Sequence, residues 1–119
     1  MIKKGDLKCG EIIWVDFSPS VGHEYQGHRP AVVIQGDKQI LPLNTLTVVP
    51  MTSNLSNRIS DDILVKCDII NKLANDSLIK IAGITSFDYQ RFIKKIGYMD
   101  NTTMGKIKKY LIKHFDLKI

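Results

Sequence analysis

Apolar residues fall along this chain in short runs broken by turn-forming residues. The run "EIIWVDF" (11–17), rich in β-branched and aromatic side chains, predicts a strand. "RPAVVIQG" (29–36) predicts a second, with Pro30 tolerable at a strand's first position. "TLTVVPM" (45–51) predicts a third, and Pro50, which lacks an N–H, places an edge or a bulge there. "DDILVKC" (61–67) and "SLIKIAGI" (77–84) predict a fourth and a fifth. "FDYQRF" (87–92) fits one helical turn or two, and "KKIGYM" (94–99) a short final strand.

Beyond residue 100 the period changes. Met104, Ile107, Leu111 and Phe115 recur at helical spacing, with Tyr110 and His114 beside them and Lys106, Lys109 and Lys113 on another face. Asp100 or Asn101 is positioned to cap this helix, which runs through Phe115. Five or six short strands followed by one amphipathic helix predict a small β-barrel with the helix packed on it. Residues 1–9 read as a flexible tail and 10–119 as a single domain.

Composition narrows the setting. The 119 residues are 44% apolar, which suits one modest core. No apolar run approaches the roughly 18 residues that a membrane-spanning helix needs, so no membrane association is expected. The N-terminus has basic residues without an apolar stretch behind them, so no secretory signal is expected and the reading is cytoplasmic. Cys9 and Cys67 are then expected as reduced thiols, too few for a structural zinc site. Acidic and basic side chains cancel through residue 93. The whole excess of +5 lies in 94–119, where Lys94, Lys95, Lys106, Lys108, Lys109, Lys113 and Lys118 face only Asp100 and Asp116. That excess suits a polyanion, an acidic protein or a merely solubilising helix face.

Candidate chemistry gathers in "GHEYQGHRP" (22–30). A zincin helix needs H-E-x-x-H, with the histidines four apart on one face. Here His23 and His28 are five apart, Gly22 and Gly27 bracket the segment, and Pro30 follows. Glycine weakens a helix and a residue before proline is steered away from helical angles, so the segment reads as a loop and not as a metal site. No G-x-S-x-G, P-loop or dinucleotide fingerprint is present. What remains is His23, Glu24, His28 and Arg29: candidate acids and bases beside a planar cation able to bind two phosphate oxygens at once. That is equipment for metal-free phosphodiester cleavage. The plainer reading pairs Arg29 with Glu24 or Asp16 as a surface ion pair.

The stretch "GEIIWVDFSPSVGHEYQGHRPAVVI" (10–34) resembles the opening of the MazF/PemK/Kid toxins. Their pattern runs glycine, an acidic residue, I/V-W-V-D-F, x-P-x-x-G, S/H-E-Q-x-G-x-R-P, then an apolar strand. Trp14, Pro19, Gly22, Glu24, Gly27, Arg29 and Pro30 fall in register, and Tyr25 stands where the family usually has glutamine. The likeness continues at "TVVPMTSN" (47–54), "DSLIKIAGITSFD" (76–88) and "KKIGYMD". It implies an SH3-like barrel with a C-terminal helix, a homodimer, and an endoribonuclease that cuts single-stranded RNA at short sequences without metal or other cofactor. It also implies an antitoxin whose acidic, disordered C-terminal tail lies across the nucleic-acid groove.

Carried over by position, the resemblance implies catalytic roles for Arg29, Thr52, Glu24 and His23. Arg29 would stabilise charge on the phosphorane, Thr52 would hydrogen-bond the scissile phosphate, and Glu24 or His23 would take the 2′-OH proton. His28, Ser53, Asn54, Lys80 and Tyr25 would contact RNA. Trp14 and Phe17 would meet the antitoxin, or be core, the commoner fate of strand aromatics. One departure stands out: on the fifth strand, where relatives carry charged residues or glutamine, this chain has Ala82, Gly83 and Thr85. That keeps a binding-only relative open as another reading; a CcdB-like toxin, which shares the same barrel but binds gyrase, is a third.

Overall fold

The first three predicted strands are apolar at consecutive positions, and the fold uses both faces of each. A computed structural model describes residues 2–118. Its elements are β1 (Glu11–Asp16), β2 (His28–Val33), β3 (Thr45–Thr52), β4 (Ile63–Val65), β5 (Ser77–Ile79), β6 (Thr85–Asp88), β7 (Phe92–Tyr98) and α1 (Asn101–His114). Neighbouring residues of a strand point to opposite faces. Accordingly Ile12, Val32 and Val49 join Ile79, Met104 and Ile107 in a core under the helix, while Ile13, Val33 and Val48 join Leu46 and Phe92 in a second core on the other face. A sheet buried on both sides reads in sequence as continuous apolar runs rather than as alternation.

All pairings are antiparallel, in the order β4-β5-β3-β2-β1-β7, with β6 also paired to β3. One edge of β3 serves two neighbours: Thr45–Val48 pair with β6, and Met51 and Thr52 with β5. Among the described residues the ladder is open, ending at β4 and β7. The architecture is therefore a seven-stranded antiparallel sheet with one C-terminal helix, in place of the five or six strands predicted.

Several expectations change at the element ends. Pro50 is neither on an edge nor in a bulge, since it sits opposite Ala31 in the interior of β3. Its carbonyl accepts from Lys80 N (2.9 Å) between the stretches paired to β6 and β5, so the missing N–H faces the changeover and breaks no ladder bond. The fifth strand stops at Ile79 because the chain tightens into a 3-10 turn at Ile81–Gly83. "FDYQRF" splits into the end of β6, a single 3-10 turn (Tyr89–Arg91) and the start of β7. Of the segment expected as a flexible tail, the described residues pack: Ile2 and Leu7 are buried in the second core, and Cys9 N donates to Asp37 Oδ1 (2.7 Å). Asp100 caps the helix, its carboxylate accepting from Thr103 N (2.9 Å). Met104 and Ile107 are buried, whereas Phe115, past the last turn, is exposed.

Candidate functional site

The connection from β1 to β2 is a loop hinged on glycine. Gly22 and Gly27 adopt φ of 59° and 68°, a region glycine enters without steric cost. Phe17 N donates to Gly27 O (2.9 Å) and Gly27 N to Ser18 Oγ (2.9 Å), which closes the neck of the loop. At its tip Val21 N donates to Glu24 Oε1 (2.6 Å) and Glu24 N to Val21 O (3.2 Å). The closed neck delivers Arg29 to the second position of β2, opposite Val15.

Three contacts hold the Arg29 guanidinium. Nε donates to Gln26 O (3.1 Å), Nη1 donates to Thr52 Oγ1 (3.3 Å), and Cζ lies 5.0 Å from the centre of the Tyr25 ring. Thr52 ends β3, and its Oγ1 also accepts from Asn54 N (3.2 Å). Asn54 in turn accepts from Ser56 N and Oγ, so its side-chain oxygen is spent on holding its own loop. Arg29 and Thr52 line a cleft of about 510 Å³ together with Trp14, His28, Ser53, Lys72 and Lys94. Three cations and no carboxylate line it. A concave wall of that charge concentrates anions, and the arginine fork matches phosphate oxygens. His28 stands edge-on to Trp14 (6.5 Å), with Nε2 3.8 Å from Asp16 Oδ2.

A second cavity, of about 650 Å³, holds His23 and Glu24, both exposed, with Phe17, Tyr25, Lys80, Gly83, Thr85, Phe87 and Arg91. The four residues expected in one catalytic centre thus divide between neighbouring cavities. Arg29 and Thr52 line one, His23 and Glu24 the other, and the contact of the Tyr25 ring with Arg29 joins the two. Burial pushes the Tyr25 phenol above its usual range, so it stays protonated near neutrality.

Packing describes two more of the expected site residues. Phe17 is only 5% exposed and packs edge-on against Phe87 (5.2 Å) and Tyr25 (6.4 Å), so it is part of the second core, with an edge on the larger cavity. Trp14, by contrast, is half-buried and on the cleft wall. Lys80, on the wall of the larger cavity, is paired: Nζ donates to the buried Asp62 carboxylate and to Asn57 O (3.3 Å). Lys72 and Arg91 went unnoticed in the sequence, where no motif marks them, and Lys94 stood out only as one of the lysines of the basic C-terminal segment. Arg91 braces the loop neck, Nη1 donating to Ser18 O (2.8 Å) and Asp16 O (3.2 Å) while Cζ lies 4.7 Å from the Phe87 ring centre. Burial raises the Cys9 thiol pKa, and a hydrogen bond with Asp76 raises that of Cys67, so neither is a thiolate nucleophile at neutral pH. Among the described residues no three His, Cys, Asp or Glu side chains group closely enough to hold a metal ion.

Comparison with known proteins supplies the family. Endoribonuclease MazF9 of Mycobacterium tuberculosis is 29% identical over 116 residues, spanning 93% of this chain and 98% of that protein. Endoribonuclease EndoA of Bacillus subtilis is 29% identical over 106 residues, spanning 88% and 90%. In fold, the chain superposes on MazF from Deinococcus radiodurans with a TM-score of 0.81 at 18% identity, over 93% of this chain and 97% of that one. A mycobacterial endoribonuclease solved in complex with its cognate antitoxin gives 0.75 at 14% identity, over 95% and 98%. Residues 8–115 match one family description, and on that match the chain belongs to the PemK-like, MazF-like toxins of type II toxin-antitoxin systems.

Proposed function

We propose that this protein is the toxin of a type II toxin-antitoxin pair and an endoribonuclease that cuts single-stranded RNA without a metal. In this reading the 2′-OH attacks its own phosphorus in line, and the 5′ oxygen leaves. The products are a 2′,3′-cyclic phosphate and a 5′-OH. Arg29 stabilises charge on the phosphorane, and the Thr52 hydroxyl holds a non-bridging oxygen. His23 and Glu24, across Tyr25 from the guanidinium, supply proton transfer. Ser53, His28, Lys72 and Lys94 position the strand. What carries the reading is the 3.3 Å contact of Arg29 Nη1 with Thr52 Oγ1 in a cleft lined by cations and by no carboxylate.

The partner is an antitoxin whose acidic segment occupies the same cleft, with Trp14 at its wall. The functional unit is a homodimer of single MazF/PemK-like domains. The sheet is read as a small SH3-like barrel, since only a bent sheet lets one edge of β3 serve both β5 and β6. A binding-only relative is the second reading, favoured by Ala82, Gly83 and Thr85, which carry no charge, and by Lys80 being tied to Asp62.

The test incubates purified protein with a long single-stranded RNA in EDTA and maps the ends. Cuts at a recurring short sequence, with cyclic-phosphate and 5′-OH ends, are expected. A 2′-deoxy nucleotide at the cut abolishes them. Cuts that vanish with EDTA refute the metal-free chemistry, and tight binding without any cut selects the second reading.

A further inference from the structure

We propose that Tyr25 and Gly83 form an interlocked pair that sets the pose of Arg29, with Tyr25 a positioning residue for the phosphate-binding guanidinium. The proposal rests on the nuclease reading above. Gly83 closes the 3-10 turn after β5, and its φ lies outside the left-handed region, so its backbone does not require glycine. Space does. A Cβ there would lie 2.7 Å from Pro50 Cγ, closer than carbon atoms pack, and 3.1 Å from Tyr25 Cε2, tight enough that the ring would have to shift. The bare backbone of Gly83 is therefore the seat against which the Tyr25 ring rests. Phe17 packs edge-on against the same ring at 6.4 Å.

A ring fixed in this way has one consequence for chemistry. Two of Arg29's three restraints are single hydrogen bonds, of 3.1 and 3.3 Å, about which the fork can still tilt. The Tyr25 face, 5.0 Å from Cζ, restrains the guanidinium plane as well as attracting its charge. Arg29 meets charge that develops in the transition state, so loosening it should lower kcat and leave KM nearly unchanged.

The experiment measures kcat, KM and the thermal midpoint for wild type, Tyr25→Phe, Tyr25→Leu, Gly83→Ala and the Tyr25→Leu/Gly83→Ala double variant, on one RNA that wild type cuts. Tyr25→Phe keeps the ring and should stay within about twofold of wild type. Tyr25→Leu should lose about tenfold in kcat, the weight of one well-placed cation–π contact. Gly83→Ala should fall in the same way. The double variant should lose less kcat than the product of the two single losses, because the share of each loss that runs through the ring is common to both, while the Pro50 contact shows separately in the thermal midpoint. The Tyr25 variants leave Gly83 and Pro50 untouched, so they carry the test even if Gly83→Ala lowers the midpoint. Wild-type kcat in Tyr25→Leu overturns the proposal. So does a loss confined to KM, which makes Tyr25 a platform for a base, and so does a Tyr25→Phe as impaired as Tyr25→Leu. A wild type that cuts no RNA overturns the nuclease reading and this pair with it.

Discussion

Lys80 and Arg29 read alike in the sequence, as cations close to a phosphate site, yet packing gives them different roles. Lys80 Nζ meets Asp62, whose side chain is 1% exposed and whose Oδ1 has no hydrogen-bond partner. Breaking such a pair strands a buried charge, at about 3–5 kcal/mol. Lys80→Met is therefore expected to lose several kcal/mol in urea denaturation, with RNA affinity of the folded protein unchanged. The opposite result, full stability with weakened RNA binding, makes Lys80 an RNA contact after all. Arg29 was legible because a glycine-spaced motif surrounds it. Lys80's partner was not, because Asp62 is distant from it in sequence and meets it only through the antiparallel pairing of β4 with β5, where Ile63 lies opposite Ile79. Phe17 illustrates the same limit: only the contacts with Phe87 and Tyr25 decide that a strand-end aromatic is core.

Elements were more legible where local physics decides them. Continuous apolar runs located the three central strands, and the polar residue before the Met104–Ile107 stripe located the helix start. The Asp100 carboxylate accepts from Thr103 N (2.9 Å) and Oγ1 (2.7 Å), and these bonds lower its pKa below the ordinary value. A lowered folded-state pKa contributes stability that is present above the unfolded value, near 4, and lost as pH falls through the folded value. Asp100→Ala should thus cost about 1 kcal/mol at neutral pH, the usual weight of an N-cap. The gap from wild type should narrow in acid below that range, as read in denaturation curves at both pH values. A gap that is unchanged in acid removes the carboxylate from the account. The lengths of β5 and β6 were hidden because tertiary contacts set them: the turn at Gly83 and the pairing of Thr85–Asp88 with the first half of β3.

At the scale of the whole molecule, the cleft draws on β1, β2, β3, β7 and the connection from β4 to β5, so no window of sequence displays it. The basic C-terminal segment sends Lys94 to that cleft, while Lys113 pairs with Asp61 at 2.8 Å far along the chain. Net charge alone therefore did not locate the site. Apposition of Arg29 and Thr52 across β2 and β3 does, and the proposed cleavage centre stands on it. The most direct measurement is the single-turnover cleavage rate of Arg29→Ala on saturating RNA in EDTA. A fall of about 10²–10³-fold is predicted, the weight of one preorganised donor to a developing oxyanion. A rate within a few-fold of wild type would contradict the account.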